Sequence, residues 1–260
     1  MFLSAYNPSD YSLISFPGLG IQWDPLRNFF IGNLNIHFYG VIIAFGLMLA
    51  VVYGLRRSKQ FGLTEDHLID GVLWVVPFAI LCARAYYCAF AWHEFADDPI
   101  SVLYIWNGGL AIYGGVIGAF VFGGITAWVR KVKVLDMFDL AALGFLIGQC
   151  VGRWGNFINQ EVYGLPTGSD WFGISGSRIG YEQVHPLFLY ESLMCLTIFI
   201  ILNAISKKRA FSGQIFSLYI VLYSFGRFWL EGMRNQEFIL RFGKLGASQV
   251  VAFALVVSGL

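Results

Sequence analysis

Arg153, Asn156, Asn159, Gln160 and Glu161 stand together in the stretch 152–161, directly after an apolar run of helix length. An arginine, three amides and a carboxylate so placed cost energy in hydrocarbon, about 3 kcal/mol for a lone charge, unless a partner or water meets them. The grouping therefore reads as a site near a membrane surface that receives something anionic. A guanidinium suits a phosphate, because its fork donates two parallel hydrogen bonds. If the helix continues through the stretch, Arg153 and Asn156 share a face, and Gly152 and Gly155 would let a headgroup approach the backbone. The same residues also fit an internal ion pair, Arg153 with Glu161, that closes the helix end.

A second grouping is Tyr223, Arg227, Glu231 and Arg234. On a helix these residues fall within a stripe about 80° wide. Charges on one face of an apolar helix must look into protein or water. One reading is an Arg227–Glu231 pair that joins two helices. The other is a second anion clamp, with Glu231 holding Arg227; Tyr223 favours it, since it carries the stripe deeper with another donor. His37-Phe38-Tyr39-Gly40 reads as an interfacial anchor. In the segment from Trp106 to Gly115, paired glycines bracket Tyr113. His185-Pro186 precedes Tyr190 and Glu191; Pro186 fits the first turn of a helix, and His185 reads as its cap. Arg84 is a lone cation in an apolar run and wants a carboxylate or phosphate. Cys82, Cys88, Cys150 and Cys195 match no zinc spacing and give no disulfide framework. They read as small buried hydrophobes.

The elements that position these residues follow from composition. The chain is 57% hydrophobic and only 13% charged, where soluble domains carry about a quarter charged residues. This predicts an all-α, polytopic membrane protein, a single integral-membrane domain over 1–260. Net charge is +1 and no dense basic tract appears, so nucleic acid is not an expected partner. Apolar runs near 36–55, 68–92, 109–130, 136–152, 186–206, 213–232 and 247–260 predict about seven transmembrane helices. Arg56, Arg57, Lys59, Arg130, Lys131, Lys133, Lys207, Lys208 and Arg209 are nine of the seventeen Lys and Arg, and seven crossings put all of them on one side. By the positive-inside rule that side is the cytoplasm, with the N-terminus outside and the C-terminus inside. The segments 93–108, 153–185 and 233–246 then face outward, and 153–185, rich in glycine, is an external turn-rich loop. No cleavable signal peptide is read at the start, so the first run is expected to be an uncleaved anchor. The small residues Gly114, Gly115, Gly118, Ala119, Gly123 and Gly124 predict close helix packing in the third run. No internal repeat supports a transporter of the inverted-repeat kind. An anion path would also need polar residues toward both faces, and the inner halves of the runs are nearly uncharged.

Taken in order, these segments resemble the prolipoprotein diacylglyceryl transferase family, from His37-Phe38-Tyr39-Gly40 to Arg234. The most specific match is Gly152-Arg153 through Asn156, Asn159 and Glu161; the Trp106–Gly115 segment, His185-Pro186 with Tyr190-Glu191, and Tyr223/Arg227/Glu231/Arg234 correspond as well. The resemblance implies transfer of a diacylglyceryl group from phosphatidylglycerol to the lipobox cysteine thiol of a preprolipoprotein signal peptide. A thioether and glycerol 1-phosphate result. It implies a multi-pass enzyme of the bacterial cytoplasmic membrane, partnered by membrane lipid, with no metal and no organic cofactor. Arg153, Arg227, Tyr113, Asn156 and Glu161 are its expected catalytic residues. Arg153, Arg227, Tyr39, Tyr223, Asn159, Glu231, Arg234 and His185 are expected to bind phosphatidylglycerol. Many family members carry histidine where this chain has Tyr113, and an acid where it has Asn107. A phenol with a pKa of about 10 is a poor base at neutral pH. Either Tyr113 is activated by an arginine, or it only bonds the lipid and the base lies elsewhere.

Overall fold

The computed structural model describes residues 13–31, 34–105, 108–235, 241–242 and 245–246. Strands β1 (Ile14–Phe16), β2 (Ile21–Trp23), β3 (Asn28–Ile31) and β4 (Leu34–His37) lead into helices α1 (Phe38–Arg57), α2 (Glu65–Phe90), α3 (Ile112–Val129) and α4 (Val134–Asn159). Strands β5 (Ile174–Gly176) and β6 (Gly180–Val184) follow, then α5 (Leu187–Ser206) and α6 (Gln214–Gly232). Helices α1 to α5 are long and apolar enough to cross a membrane. Their surfaces keep large apolar side chains outward, Phe90 at 75% and Trp128 at 77% exposed, as contact with lipid requires. The sixth expected run is helical too. The seventh, 247–260, lies outside the described residues, as do Trp106 and Asn107.

Two expectations are corrected. First, α4 does not stop near residue 152 but runs to Asn159, so Arg153, Asn156 and Asn159 are helical. Second, the chain is mostly rather than wholly helical. β2, β1, β5 and β6 form an antiparallel sheet in that order, with Ile14 opposite both Trp23 and Gly176. Part of the segment expected as turns is thus two strands. They are too short, and too rich in glycine, to carry a clear alternating pattern.

The described residues fall into two compact units. The first holds residues up to Ala50, Ala142–Arg209, and those from Gln214 onward. Its sheet rests on the end of α4 and the start of α5, through buried Ile14, Phe157, Ile158, Ile174, Val184 and Phe188. Phe157 and Phe188 stack at 4.4 Å between centroids. In the same unit α1 lies along α4 on a seam of small residues. A methyl group at Gly46 would come within 3.3 Å of Val151, one at Gly152 within 3.2 Å of Ile43, and one at Gly155 within 2.5 Å of the Tyr39 ring. Gly152 and Gly155 therefore admit a neighbouring helix rather than a lipid headgroup.

The second unit is Val51–Ala141 with Ala210–Gly213. α2 begins at a capping box: Thr64 Oγ1 accepts from the His67 amide at 3.3 Å, and His67 Nδ1 accepts from the Thr64 amide at 3.2 Å. α3 packs closely on α2. A methyl at Gly118 would stand 2.7 Å from Cys82 Cβ, and one at Gly114 2.5 Å from Tyr86 Cβ, whereas Gly124 faces open space. Among the described residues Arg84 is held by backbone carbonyls rather than by a carboxylate. Its guanidinium donates to the carbonyls of Val102, Ser101 and Gly108 at 2.8 Å and of Gly109 at 3.0 Å, and lies 4.9 Å over the Phe95 ring. It is a buried cation spent on backbone, tying down the chain before α3.

Candidate active site

The end of α4 turns sharply. Gln160 takes a left-handed φ of +53°, and its amide bonds the Phe157 carbonyl while the Glu161 amide bonds that of Asn156, both at 3.0 Å. This is the two-bond closure that usually recruits glycine. Here glutamine accepts the strain, of about 1 kcal/mol, with its side-chain Oε1 held by the Arg178 amide at 3.0 Å. The turn folds Glu161 back along the helix. Its Oε1 accepts from Asn156 Nδ2 at 2.8 Å and from Asn159 Nδ2 at 3.5 Å. Glu161 thus orients two amides and is not the ion-pair partner of Arg153.

That partner is Glu191, on the first turns of α5. Arg153 Nη2 lies 2.5 Å from Glu191 Oε2, and Arg227 Nη1 lies 2.5 Å from Glu191 Oε1. Arg227 Nη2 reaches Glu231 Oε2 at 2.9 Å. Arg234 joins both carboxylates, at 3.2 Å to Glu191 and 3.4 Å to Glu231. Both glutamates are buried, at 1% and 2% exposed. Among the described residues the ion-paired cluster holds three guanidiniums against two carboxylates, leaving one positive charge in excess. Burial, and then the like charge of Arg227, push the Arg234 guanidinium below its ordinary pKa.

The three arginines are not equivalent. Arg227 uses both terminal nitrogens on carboxylates. Arg153 uses one on a carboxylate, and its Nη1 makes a long 3.3 Å bond to Asn156 Oδ1. Arg153 is also the most open of the three, its side chain 20% exposed against 14% for Arg227 and 10% for Arg234. Tyr39, packed on Gly155, has Glu161 and Arg153 as its charged neighbours. Tyr223 faces the Arg153 guanidinium and stacks on Tyr219.

Arg153, Asn156, Asn159, Glu161, Tyr39, Tyr223, Arg227, Glu231 and Arg234 thus lie in one unit, linked by these contacts. His185 is in that unit but bonds Tyr190, its Nδ1 3.2 Å from the hydroxyl. It does not cap α5, whose capping position is Pro186. Tyr113 belongs to the other unit, beside Tyr86. Sequence reasoning missed the hub, Glu191. A carboxylate inside an apolar helix carries the same signal as an arginine there, and it was available.

The sequence has clear counterparts among known proteins. The family model for prolipoprotein diacylglyceryl transferase matches residues 27–260. A phosphatidylglycerol–prolipoprotein diacylglyceryl transferase of Lysinibacillus sphaericus is 41% identical over 251 residues, which cover 92% of this chain and 91% of that protein. Proteins of the same name from Geobacillus kaustophilus and Clostridium novyi are 40% and 39% identical, over 90% and 89% of this chain and 90% and 92% of their own. With a matched region that takes in α1 to α6 and every charged residue of the cluster, the chain belongs to the prolipoprotein diacylglyceryl transferase family.

Proposed function

We propose that the protein transfers the diacylglyceryl group of phosphatidylglycerol to the lipobox cysteine of a preprolipoprotein. One observation carries the reading beyond the likeness to relatives: the surplus positive charge of the Arg153–Glu191–Arg227–Glu231–Arg234 cluster. An unbalanced buried cation is costly, and an anion that arrives there relieves it. The phosphate of an anionic lipid is such an anion.

In this reading Arg153, the loosely held guanidinium, meets the phosphate. Arg227 and Arg234, fixed by Glu191 and Glu231, supply field from behind. The cysteine thiolate attacks the glycerol carbon that bears the phosphate. A sulfur–carbon bond forms, the carbon–oxygen bond breaks, and its electron pair leaves on the phosphate oxygen. The products are the thioether and glycerol 1-phosphate. Charge grows on the departing phosphate, and guanidiniums already in place stabilise that growth without reorganising. Asn156 and Asn159, held by Glu161, and the phenols of Tyr39 and Tyr223 position the glycerol. His185, tied to Tyr190, serves the headgroup side. The thiol must lose its proton, and a positive field favours the thiolate.

Seven spans in the bacterial cytoplasmic membrane, N-terminus outside and C-terminus inside, belong to the same proposal. The basic residues after α1, after α3 and after α5 support this orientation. It sets the Asn159 end of α4 and the Gly232 end of α6 on the outer face.

The test is purified protein with phosphatidylglycerol labelled in its diacylglyceryl part and a lipobox peptide. Label should pass to the cysteine peptide and not to its Cys→Ser counterpart. Equal labelling of both peptides, or of neither, overturns the assignment. Tyr113 enters from the resemblance alone. Tyr113→Phe should lower turnover about 100-fold if the hydroxyl moves a proton, and near-normal rates would remove it from the chemistry.

A further inference from the structure

A second polar layer lies beyond the charge cluster. Gln149 precedes Arg153 by four residues on α4, and Tyr219 precedes Tyr223 by four on α6. Gln149 Nε2 stands 3.1 Å from the Tyr219 hydroxyl, and the Tyr219 ring stacks on Tyr223 at 5.6 Å between centroids. Four helical residues rise about 6 Å. The pair therefore sits one turn from the guanidiniums, on the side nearer the apolar middle of α4.

This layer is not satisfied by the protein. Gln149 Oε1 is buried and has no hydrogen-bond partner among the described residues, an omission that ordinarily costs about 1–3 kcal/mol. With the amide donating to the phenol, the phenol proton and one amide N–H are unspent. With the amide turned over, its oxygen accepts the phenol proton and both amide N–H groups are unspent. An ester carbonyl cannot meet Oε1 in the first arrangement. In the second the Tyr219 hydroxyl satisfies Oε1, and the two amide N–H groups are donors for which a lipid's ester carbonyls are fitting acceptors.

We propose that Gln149, oriented by Tyr219, binds a fatty-acyl ester carbonyl of the donor lipid, and so selects diacyl over dialkyl glycerolipids. This rests on the transferase reading, in which the phosphate sits at Arg153. The esters of a phosphoglyceride stand one glycerol away from its phosphate, which matches the one-turn spacing. The reaction breaks the bond to phosphate and leaves the acyl esters intact, so a dialkyl ether phosphatidylglycerol remains chemically competent. Discrimination between the two lipids can then come only from binding.

The experiment compares kcat and KM for dioleoyl phosphatidylglycerol and its dialkyl ether analogue, using wild-type protein, Gln149→Met and Tyr219→Phe. Wild type should prefer the diester about tenfold in kcat/KM, the effect of one well-made hydrogen bond. Each variant should raise KM for the diester about fivefold to tenfold and leave the diether values unchanged, so that the preference disappears. Equal use of both lipids by wild type, or a preference intact in both variants, overturns the inference while the transferase reading stands. Parallel loss of both lipids in Tyr219→Phe, which lacks a single oxygen, also overturns it by assigning the pair to packing. If wild type transfers neither lipid, the transferase reading itself has failed.

Discussion

Glu191→Gln should cost the protein both turnover and fold. The substitution keeps the shape of the side chain and removes one charge from the centre of the cluster. Arg227 and Arg234 would then keep only Glu231, Arg153 would lose its carboxylate, and a surplus of one positive charge would become two. Removing one partner from a buried ion pair costs about 3–5 kcal/mol, because the remaining charge is left uncompensated. Glu191 is 1% exposed, so water cannot make up the difference. The expected result is a lower melting temperature in detergent, with diacylglyceryl transfer down by more than about 100-fold. A variant that melts and turns over like wild type would show that Glu191 does not hold the cluster together.

Arg153→Ala should have the opposite division of effects. Its loss leaves two guanidiniums and two carboxylates, a balanced cluster, so the protein should accumulate and melt nearly as wild type does. Transfer should fall about 1,000-fold, the scale of removing one donor that stabilises developing charge. Arg153→Lys sharpens the point. An ammonium retains the charge but cannot keep Glu191 and Asn156 on two edges and still face a phosphate. Its rate should stay far below wild type. Initial rates at saturating lipid, beside melting curves of the same preparations, check both variants. Normal transfer by Arg153→Ala would refute the site.

The sequence revealed charges better than their pairings. Arg153 and Arg227 stand out because an ionised group in an apolar helix needs a reason. Glu191 satisfied the same rule, yet it lay beside His185-Pro186 and read as part of a helix start. Arg84 could not be assigned from sequence, because its partners are carbonyls and every residue has one. Tyr39 read as an interfacial anchor, since nothing local shows that Gly155 leaves room for its ring. The sheet was hidden for a different reason. It joins Ile14 to Gly176, and a pairing across most of the chain leaves no mark in the pattern of either short segment. The helices were legible because a long apolar run has few other ways to satisfy its backbone in lipid.

Just after the turn at Gln160, the chain is stitched on both sides by main-chain bonds. The Gly164 amide reaches the His185 carbonyl and the His185 amide reaches that of Leu165, both at 3.0 Å, while the Leu165 amide reaches Met233 at 2.9 Å and the Asn235 amide reaches Tyr163 at 3.2 Å. His185 and Arg234 therefore hang from opposite borders of one short ribbon. Amide-to-carbonyl bonds ignore side-chain identity, so changes of side chain at Leu165 and Met233 leave the span between that imidazole and that guanidinium unaltered. Gly164 is the exception, since even a methyl there would stand 2.7 Å from His185 Cβ and force the ribbon's borders apart.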